Sequence, residues 1–487
     1  MAGIGFELKK LFSKKGLFAM VRAYGYAGVV CTGPMLLGMV LLLGIRMITK
    51  AAGLEVHGQE LLNCMITYTL LASLMTTNSL SMLTTRYVAD VLYTDEDEKV
   101  MPSFYGSTAI MYVIGGVLYG VFLLCSGVPN SYKLCCLVLF MELIAVWTQI
   151  NYLTAVKDYQ SIMRTFFIAV ACALCGGYGL SRIMEDLILA MFLAVIFAYG
   201  IMLLWYYKLL IEYFPKGKGS SFAFLKWMDK YPHLVGVGLF MGIGLYAHLM
   251  MMWASPIGVC VQGLFYGAPT YDVPALFAFI SILITSINFV TSVEVNFYPK
   301  YRTYFGLFNY GGSLIDIEKA EQEMVNTLEK ELSYTFAKQF FTTVVFIVAG
   351  TLLIPKLPFG FTEDMLGIYR VLCVGYAFYA AGNCLMLMTL YFADNEGAFW
   401  ESLIYAIVTV FGTLCFMWSD SRYYGFGFLV AGIAFALVSL LRLVLFVKRL
   451  SYHVISRQPL IMKTQRGMMT RICERLEAKD CENVQKS

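Results

Sequence analysis

The chain has 487 residues, of which 59% are hydrophobic and only 14% are charged. Soluble proteins average about 25% charged residues, and the mean hydropathy here is +0.70, so a soluble globular fold is excluded. The net charge of +4 is small and gives no indication of nucleic-acid binding. The longest stretch between apolar segments, residues 299–338, has 40 residues. No soluble glycosyltransferase, nuclease or ATPase domain fits into that length.

Twelve apolar segments are long enough to cross a bilayer, whose hydrocarbon core of about 30 Å requires about 20 helical residues. The predicted fold class is therefore an all-α polytopic membrane protein with about 12 transmembrane helices. In chain order the predicted spans are 17–47, 61–89, 105–127, 131–154, 161–183, 186–211, 232–254, 274–298, 339–355, 365–392, 397–419 and 424–447.

The distribution of basic residues predicts the orientation, because Lys and Arg in short loops stay on the cytoplasmic side. With the N-terminus placed inside, 28 of the 36 Lys and Arg residues fall in cytoplasmic segments or at the cytoplasmic ends of spans, and 7 fall in outer loops or at the outer ends of spans. The remaining one, Arg442, lies inside the last span. This bias predicts that both termini are cytoplasmic.

Neither the cysteines nor the glycines indicate a cofactor. Most of the 13 cysteines fall inside spans, where Cys acts as a small apolar residue. No Cys/His cluster has zinc spacing and no phosphate-binding loop occurs, so we expect no metal, no cofactor and no ATP-driven transport by this chain alone. The glycines between Gly236 and Gly244 lie within a span, where they favour close helix packing or a bendable helix.

The predicted spans form two groups of six, flanked by basic segments. Residues 1–16 form a basic amphipathic pattern that predicts a helix lying flat at the membrane surface, or a basic flank that only orients the first span. No cleavable signal peptide is evident, since a 31-residue apolar run follows. The further divisions are an N-lobe over 17–211, a cytoplasmic linker over 212–231, a C-lobe over 232–447 and a basic cytoplasmic tail over 448–487.

The tail contains a second basic amphipathic stretch. Its apolar face carries Met469, Ile472, Cys473 and Leu476, with arginines and a lysine around the rest. This pattern favours binding to a membrane surface.

An acidic helix is predicted over residues 313–336, inside the longest loop. Ser313 and Asp316 make a capping-box start, and an apolar stripe follows at helical spacing. We expect this helix to dock a cytoplasmic partner through that stripe, with Leu328 and Leu332 near its centre. The alternative is a solvated helix that rests on neighbouring loops.

Polar residues inside spans are the candidates for a substrate path, because they are costly in the membrane. Our candidates are Glu142, His248, Glu294, Arg370 and Asn288. Three of them have an ordinary alternative: a structural ion pair or hydrogen bond for Glu142, a helix-to-helix hydrogen bond for His248, and interhelical contact for Asn288. Many of the 33 tyrosines also lie in span interiors, where an amphipathic ring can stack on a sugar and bind its hydroxyls.

Two motifs carry a family resemblance. The first is the opening MAGIGFELKKLF, which is followed by RAYGYAG and TGP. The second is the stretch VEVNFYPKYRTYF at 293–305. Both resemble the PelG family, the integral membrane components of Pel exopolysaccharide export. The resemblance covers the whole chain, and the wider superfamily includes lipid-linked oligosaccharide flippases, the peptidoglycan lipid flippase and multidrug antiporters.

The resemblance implies two six-helix lobes about a central cavity that opens alternately to each side, in the cytoplasmic (inner) membrane. It also implies three partners: a PelF-like cytoplasmic glycosyltransferase, and the PelD-like and PelE-like membrane subunits that sense cyclic di-GMP. Pel is a partly deacetylated, cationic amino-sugar polymer, so an acidic route through Glu142 and Glu294 suits it.

Three functions remain open at this point. The leading one is a polysaccharide translocation subunit that is not itself an enzyme. The second is a secondary flippase or antiporter for a lipid-linked oligosaccharide or a drug, with Glu142 as its ion-coupling site. The third is a non-transporting scaffold that recruits a synthase to the membrane.

Overall fold

The computed structural model describes residues 38, 40–156, 159–214, 217, 219–356, 361–456 and 467–475. The predicted helix over 1–16 and most of the first predicted span lie outside these residues. Within the described part of the chain, ten helical segments are long and apolar enough to cross a membrane, so the chain is a multi-pass membrane protein. The second predicted span is also helical, but its sequence is less apolar, with eleven Ser, Thr and Asn residues between Leu61 and Thr85.

The described residues divide into two compact units. The first, which we call the N-terminal unit, comprises residues up to Ala268 together with the tail segment 467–475. Its elements are α1 (described over residues 40–51), α2 (Val56–Tyr93), α3 (Val100–Cys125), α4 (Asn130–Val156), α5 (Tyr159–Leu180), α6 (Leu187–Tyr213), α7 (Pro232–Trp253), β1 (Val259–Gln262) and β2 (Phe265–Gly267).

Helix α2 is the polar centre of the N-terminal unit. Its Thr69 hydroxyl lies 2.7 Å from the hydroxyl of Tyr119 on α3, and its Ser73 accepts a hydrogen bond from the indole of Trp147 on α4 at 3.1 Å. Hydroxyl groups in such helices are satisfied by neighbouring helices and by their own backbone. The small polar residues of α2 therefore bind the unit together.

Helix α7 packs closely on α2 through a glycine. A methyl group placed on Gly238 would lie 2.1 Å from the backbone oxygen of Asn78, so only glycine allows this approach. The prediction of close packing by the α7 glycines is confirmed at this position. The boundary between the two units falls after Ala268, whereas the sequence placed a lobe boundary within residues 212–231.

A short antiparallel hairpin, β1–β2, covers one end of the N-terminal unit. The hydroxyl of Tyr68 on α2 donates to the backbone oxygen of Tyr266 at 3.0 Å and accepts from its N–H at 3.2 Å. Phe265 is fully buried and packs at 5.1 Å from the Tyr68 ring, while Trp253 stacks on that ring at 4.4 Å. An interior tyrosine therefore holds this hairpin.

The tail helix, residues 468–475, packs on the predicted linker. Asp229, in a short helix Lys226–Lys230, accepts hydrogen bonds from the Thr470 N–H at 2.6 Å and from its hydroxyl at 2.7 Å. Burial raises the pKa of Asp229, but these bonds and one from the Met469 N–H lower it by more than burial raises it. The pKa of Asp229 therefore lies below its usual value. Cys473, on the predicted membrane-binding face, is fully buried near Phe222. That face is partly covered by the chain itself.

The second unit, which we call the C-terminal unit, is described from Pro269 to residue 456. Its elements are α8 (Pro269–Ile280), α9 (Leu283–Ser292), a π-helical turn (Val293–Phe297), α10 (Tyr298–Tyr310), α11 (Leu314–Leu353), α12 (Glu363–Tyr391), α13 (Asn395–Phe416), α14 (Phe426–Val447) and α15 (Leu450–Ser456).

Helix α11 joins the predicted acidic helix and the ninth predicted span into one rod. The Asp316 N–H donates to the Ser313 hydroxyl at 3.2 Å, which confirms the predicted N-terminal cap. No Gly or Pro interrupts the chain between residues 314 and 349. With 40 residues the helix is about 60 Å long at 1.5 Å per residue, against a bilayer core of about 30 Å. Its charged first half therefore protrudes from the membrane.

The apolar stripe of α11 is part of this unit's own core. Leu328 and Leu332 are only 5% and 9% exposed, and they belong to a buried cluster that includes Tyr304 of α10, Met388 of α12 and residues of α14. The prediction that these two leucines dock a partner is therefore wrong, because the partner face is already occupied by the chain's own helices. What α11 exposes there is its charged side, including Glu318, Glu323 and Glu329.

Candidate functional site

A row of polar side chains, which we call the polar seam, joins α9 to α11. On α9 it contains Thr285, Asn288 and Ser292, whose spacing of three and four residues places them on one face. The Thr285 hydroxyl donates to the Gln339 amide oxygen. Asn288 accepts a hydrogen bond from Lys338 Nζ at 3.0 Å. A membrane helix pair that exchanges this many polar contacts is unusual and marks a functional candidate.

The seam continues into the π-helical turn, where two residues contact the carboxylate of Glu331. The Ser292 hydroxyl donates to Glu331, and the Asn296 amide donates to its Oε1 at 2.9 Å. Pro299 follows the turn and has no N–H to donate to the carbonyl four residues earlier, so the regular helical ladder cannot pass through this point. Such π-helical turns occur frequently at functional sites.

An open cavity of about 460 Å³ lies beside the turn, lined by Asn296, Lys330, Glu331, Ser333 and Tyr334. Nearby, Lys338 Nζ lies 4.2 Å from the centroid of the Tyr334 ring. Together with the ammonium of Lys330, the cavity thus offers a carboxylate, a carboxamide, a hydroxyl and an exposed aromatic face within a few residues. These groups can bind an ammonium, an acetamido or hydroxyl group, and a sugar face respectively.

Two predicted path residues belong to this region of the chain. Asn288 is 9% exposed and is a member of the polar seam. Glu294 lies in the π-helical turn itself, where its charge interacts with the Tyr391 hydroxyl of α12. These two residues lie on consecutive helical elements. The structure also places Glu331 and Lys338 in this region, through their contacts with Ser292, Asn296 and Asn288. We had assigned Glu331 and Lys338 to a loop.

The other three predicted path residues are separate from the polar seam. Glu142 lies on α4 in the N-terminal unit, near Tyr112 of α3 and Gly200 of α6. His248 is fully buried in α7 and hydrogen-bonds the backbone of Leu245 in its own helix. In the C-terminal unit, Arg370 is exposed, and its Nε donates to Thr351 at 3.2 Å.

A second polar cluster, which sequence reasoning did not assemble, joins α12, α13 and α14. Asp394, which is fully buried, accepts hydrogen bonds from Arg442 Nε at 2.7 Å and from Nη2 at 3.1 Å. Glu401 is also fully buried and accepts one from the Thr389 hydroxyl at 3.2 Å. The signal in the sequence was an acidic loop without a basic residue, Asp394 to Glu396, combined with a lone arginine in the last span.

Comparison with known proteins identifies the family. The PelG family model, described as "Putative exopolysaccharide Exporter (EPS-E)", matches residues 1–455. The chain belongs to the PelG family. No functionally curated protein matches this PelG-family chain significantly.

Solved structures show the fold of this PelG-family chain. It is similar to an outward-facing multidrug resistance MATE family transporter of the MOP superfamily, with 13% identity, 88% and 96% of the two chains covered and a TM-score of 0.57. A MATE structure in the bent conformation gives 13% identity, 93% and 100% coverage and a TM-score of 0.59. A MOP superfamily transporter from Pyrococcus furiosus gives 13% identity, 87% and 96% coverage of the two chains and a TM-score of 0.57. Family and fold indicate a transporter rather than an enzyme.

Proposed function

We propose that this PelG-family protein moves a Pel-type, amino-sugar-containing exopolysaccharide across the cytoplasmic membrane. Membership of an exopolysaccharide exporter family over 455 residues supports export of a polysaccharide. The polar seam supports the choice of substrate, since Glu331 offers a carboxylate beside the exposed ring of Tyr334. This juxtaposition is the single observation that carries the proposed substrate class.

Three groups of the cavity have a role toward a partly deacetylated amino sugar. The Glu331 carboxylate binds the ammonium of a deacetylated unit, and charge-assisted hydrogen bonds of this kind contribute about 1.5–3 kcal/mol. The Asn296 amide binds an acetamido or hydroxyl group, and Tyr334 stacks on the ring. Lys338 does not oppose the ammonium directly, because its charge is directed to Asn288 and to the Tyr334 ring.

The proposal extends to topology and partners. We propose twelve spans in the inner membrane with both termini in the cytoplasm, as the bias of basic residues predicts. The protruding half of α11 then faces the cytoplasm with an acidic surface that includes Glu318, Glu323 and Glu329. We propose that the partners of this chain are a PelF-like glycosyltransferase, which delivers the polymer, and PelD-like and PelE-like subunits, which sense cyclic di-GMP.

The test is a Glu331→Gln substitution in cells that secrete the polymer. Gln keeps the shape and its oxygen still accepts the hydrogen bond from Asn296, while its NH2 group can donate to the Ser292 hydroxyl in place of the present bond. The substitution therefore removes the charge and spares the local fold. Loss of one charge-assisted hydrogen bond weakens binding about tenfold or more, and secreted polymer should fall with protein abundance unchanged. The matched control is Glu329→Gln, two residues away on the exposed side. Normal secretion by Glu331→Gln, or an equal loss in both variants, would contradict the proposed substrate contact.

A second candidate is a secondary flippase or antiporter, which the similarity of fold to MATE transporters favours. The two functions differ in their need for the synthase. If the purified chain alone moves a lipid-linked oligosaccharide or a cationic dye across proteoliposome membranes, this second function is supported. Export that requires the glycosyltransferase supports the first.

A further inference from the structure

The cluster of Asp394, Glu401 and Arg442 contains a carboxyl group that its surroundings leave incompletely satisfied. Glu401, on the second turn of α13, is fully buried. Its Oε1 accepts a hydrogen bond from Thr389 of α12 at 3.2 Å. Within the part of the chain that the structure describes, its Oε2 makes no well-formed hydrogen bond.

Arg442 does not satisfy Glu401, although it is the nearest cation. Its Nε and Nη2 form a bidentate pair with Asp394, which is the geometry that Arg prefers with a carboxylate. The hydroxyl of Ser439, one turn before Arg442 on α14, is within reach of the Glu401 carboxyl, but it makes no well-formed hydrogen bond among the described residues. Two fully buried polar groups on facing helices are therefore neighbours without a well-formed hydrogen bond between them.

A purely structural ion pair would not require this second carboxyl. Burying a carboxylate without its full set of donors is costly, and polar groups in membrane spans are rare unless they have a task. The pair Asp394–Arg442 already joins the start of α13 to α14. Glu401 adds nothing to that joint and introduces the cost of a further buried acid.

We propose that Glu401 is a proton-binding site of the C-terminal unit. One proton from the aqueous side adds to Oε2, and the carboxyl then becomes a donor for the neighbouring hydroxyl of Ser439. When the proton leaves, the carboxylate competes with Asp394 for Arg442. Arg442 is 40% exposed, while Asp394 is fully buried, so the guanidinium has room to shift.

A proton fits this site better than a metal ion. The charged and titratable groups that face Glu401 are Asp394 between α12 and α13, and Arg442 on α14, while Thr389 and Ser439 offer only hydroxyls. A sodium ion needs several oxygen ligands, but both oxygens of Asp394 bind Arg442 and Oε1 of Glu401 binds Thr389. A proton needs one oxygen atom, and Oε2 provides it.

Proton binding is a property of the chain itself, whereas its use to drive polymer movement rests on the proposed function. The readout is therefore spectroscopic: infrared difference spectra of the purified full-length chain in lipid, recorded between neutral and acid pH. The wild type should show the carbonyl band of a protonated carboxyl group, and Glu401→Gln should lose that band. Glu396→Gln is the matched control, since Glu396 is exposed and lies five residues away in the same helix.

Each outcome decides the matter. A band that is lost only in Glu401→Gln supports the site, and the same pH response in both variants overturns it. If Glu401→Gln does not fold, Glu401→Asp takes its place, and the band must then shift; an unshifted band overturns the site. The proton site is also overturned if sodium raises the melting midpoint of the purified chain while a lower pH does not. A positive spectrum with normal export by Glu331→Gln would leave the proton site standing while the proposed substrate contact fails.

Discussion

Leu328→Ala should destabilise the protruding half of α11, because this side chain is core and not a docking surface. Leu328 is 5% exposed and packs in the cluster that joins α10, α11, α12 and α14. Truncation of a buried Leu to Ala typically costs about 2–5 kcal/mol, from lost transfer energy and the cavity left behind. The cost here should fall within that range, since little of the side chain faces water.

Thermal inactivation of the detergent-purified chain measures this effect as a shorter half-life or a lower midpoint. The matched control is Ile315→Ala in the first turn of the same helix, where Ile315 is 77% exposed; surface changes are usually within about 0.5 kcal/mol. The reasoning is refuted if Leu328→Ala is as stable as the control and instead loses only the glycosyltransferase on co-purification.

Three further changes test the N-terminal unit. Gly238→Ala should lower stability by forcing α7 away from α2, whereas Gly120→Ala, which meets nothing within 4 Å, should leave the melting midpoint unchanged. Tyr68→Phe removes two hydrogen bonds to the hairpin, worth about 0.5–1.5 kcal/mol each. Thiol labelling of the half-buried Cys64, which lies against Gly267 of the hairpin, should therefore become faster; equal rates would exclude this role. Because the pKa of Asp229 is lowered, its tail contact is complete above the ordinary carboxyl range and is lost as pH falls through the lowered pKa. Asp229→Asn should therefore expose the tail to protease at neutral pH, as acid does to the wild type, and an unchanged cleavage rate would contradict the contact.

The helix positions could be predicted from the sequence, because membrane spans need long apolar runs and the cap at Ser313 follows a known rule. The continuity of α11 was less accessible, since a change from charged to apolar composition looks like a boundary although nothing interrupts the helix. The stripe with Leu328 showed that one face is buried, but periodicity alone does not say what covers it. A neighbouring helix and a separate protein produce the same pattern.

The candidate site was only partly predictable for a related reason. Asn288 and Glu294 stood out because they are polar within a span. Their partners Glu331 and Lys338 did not, since charged residues in a loop are ordinary. Asp394 and Arg442 are 48 residues apart in sequence, and only the packing of α14 on the start of α13 brings them together.

The central claim is that the polymer passes along the polar seam, and crosslinking of the growing polymer tests it most directly. A photoreactive phenylalanine analogue at Tyr334, which is 58% exposed beside the cavity, should capture polymer in cells whose synthase is active. The same analogue at Phe341, which is 70% exposed elsewhere on α11, should not. Capture at Tyr334 alone, and only during synthesis, is the predicted result; export with no capture at Tyr334, or equal capture at both positions, would contradict the account.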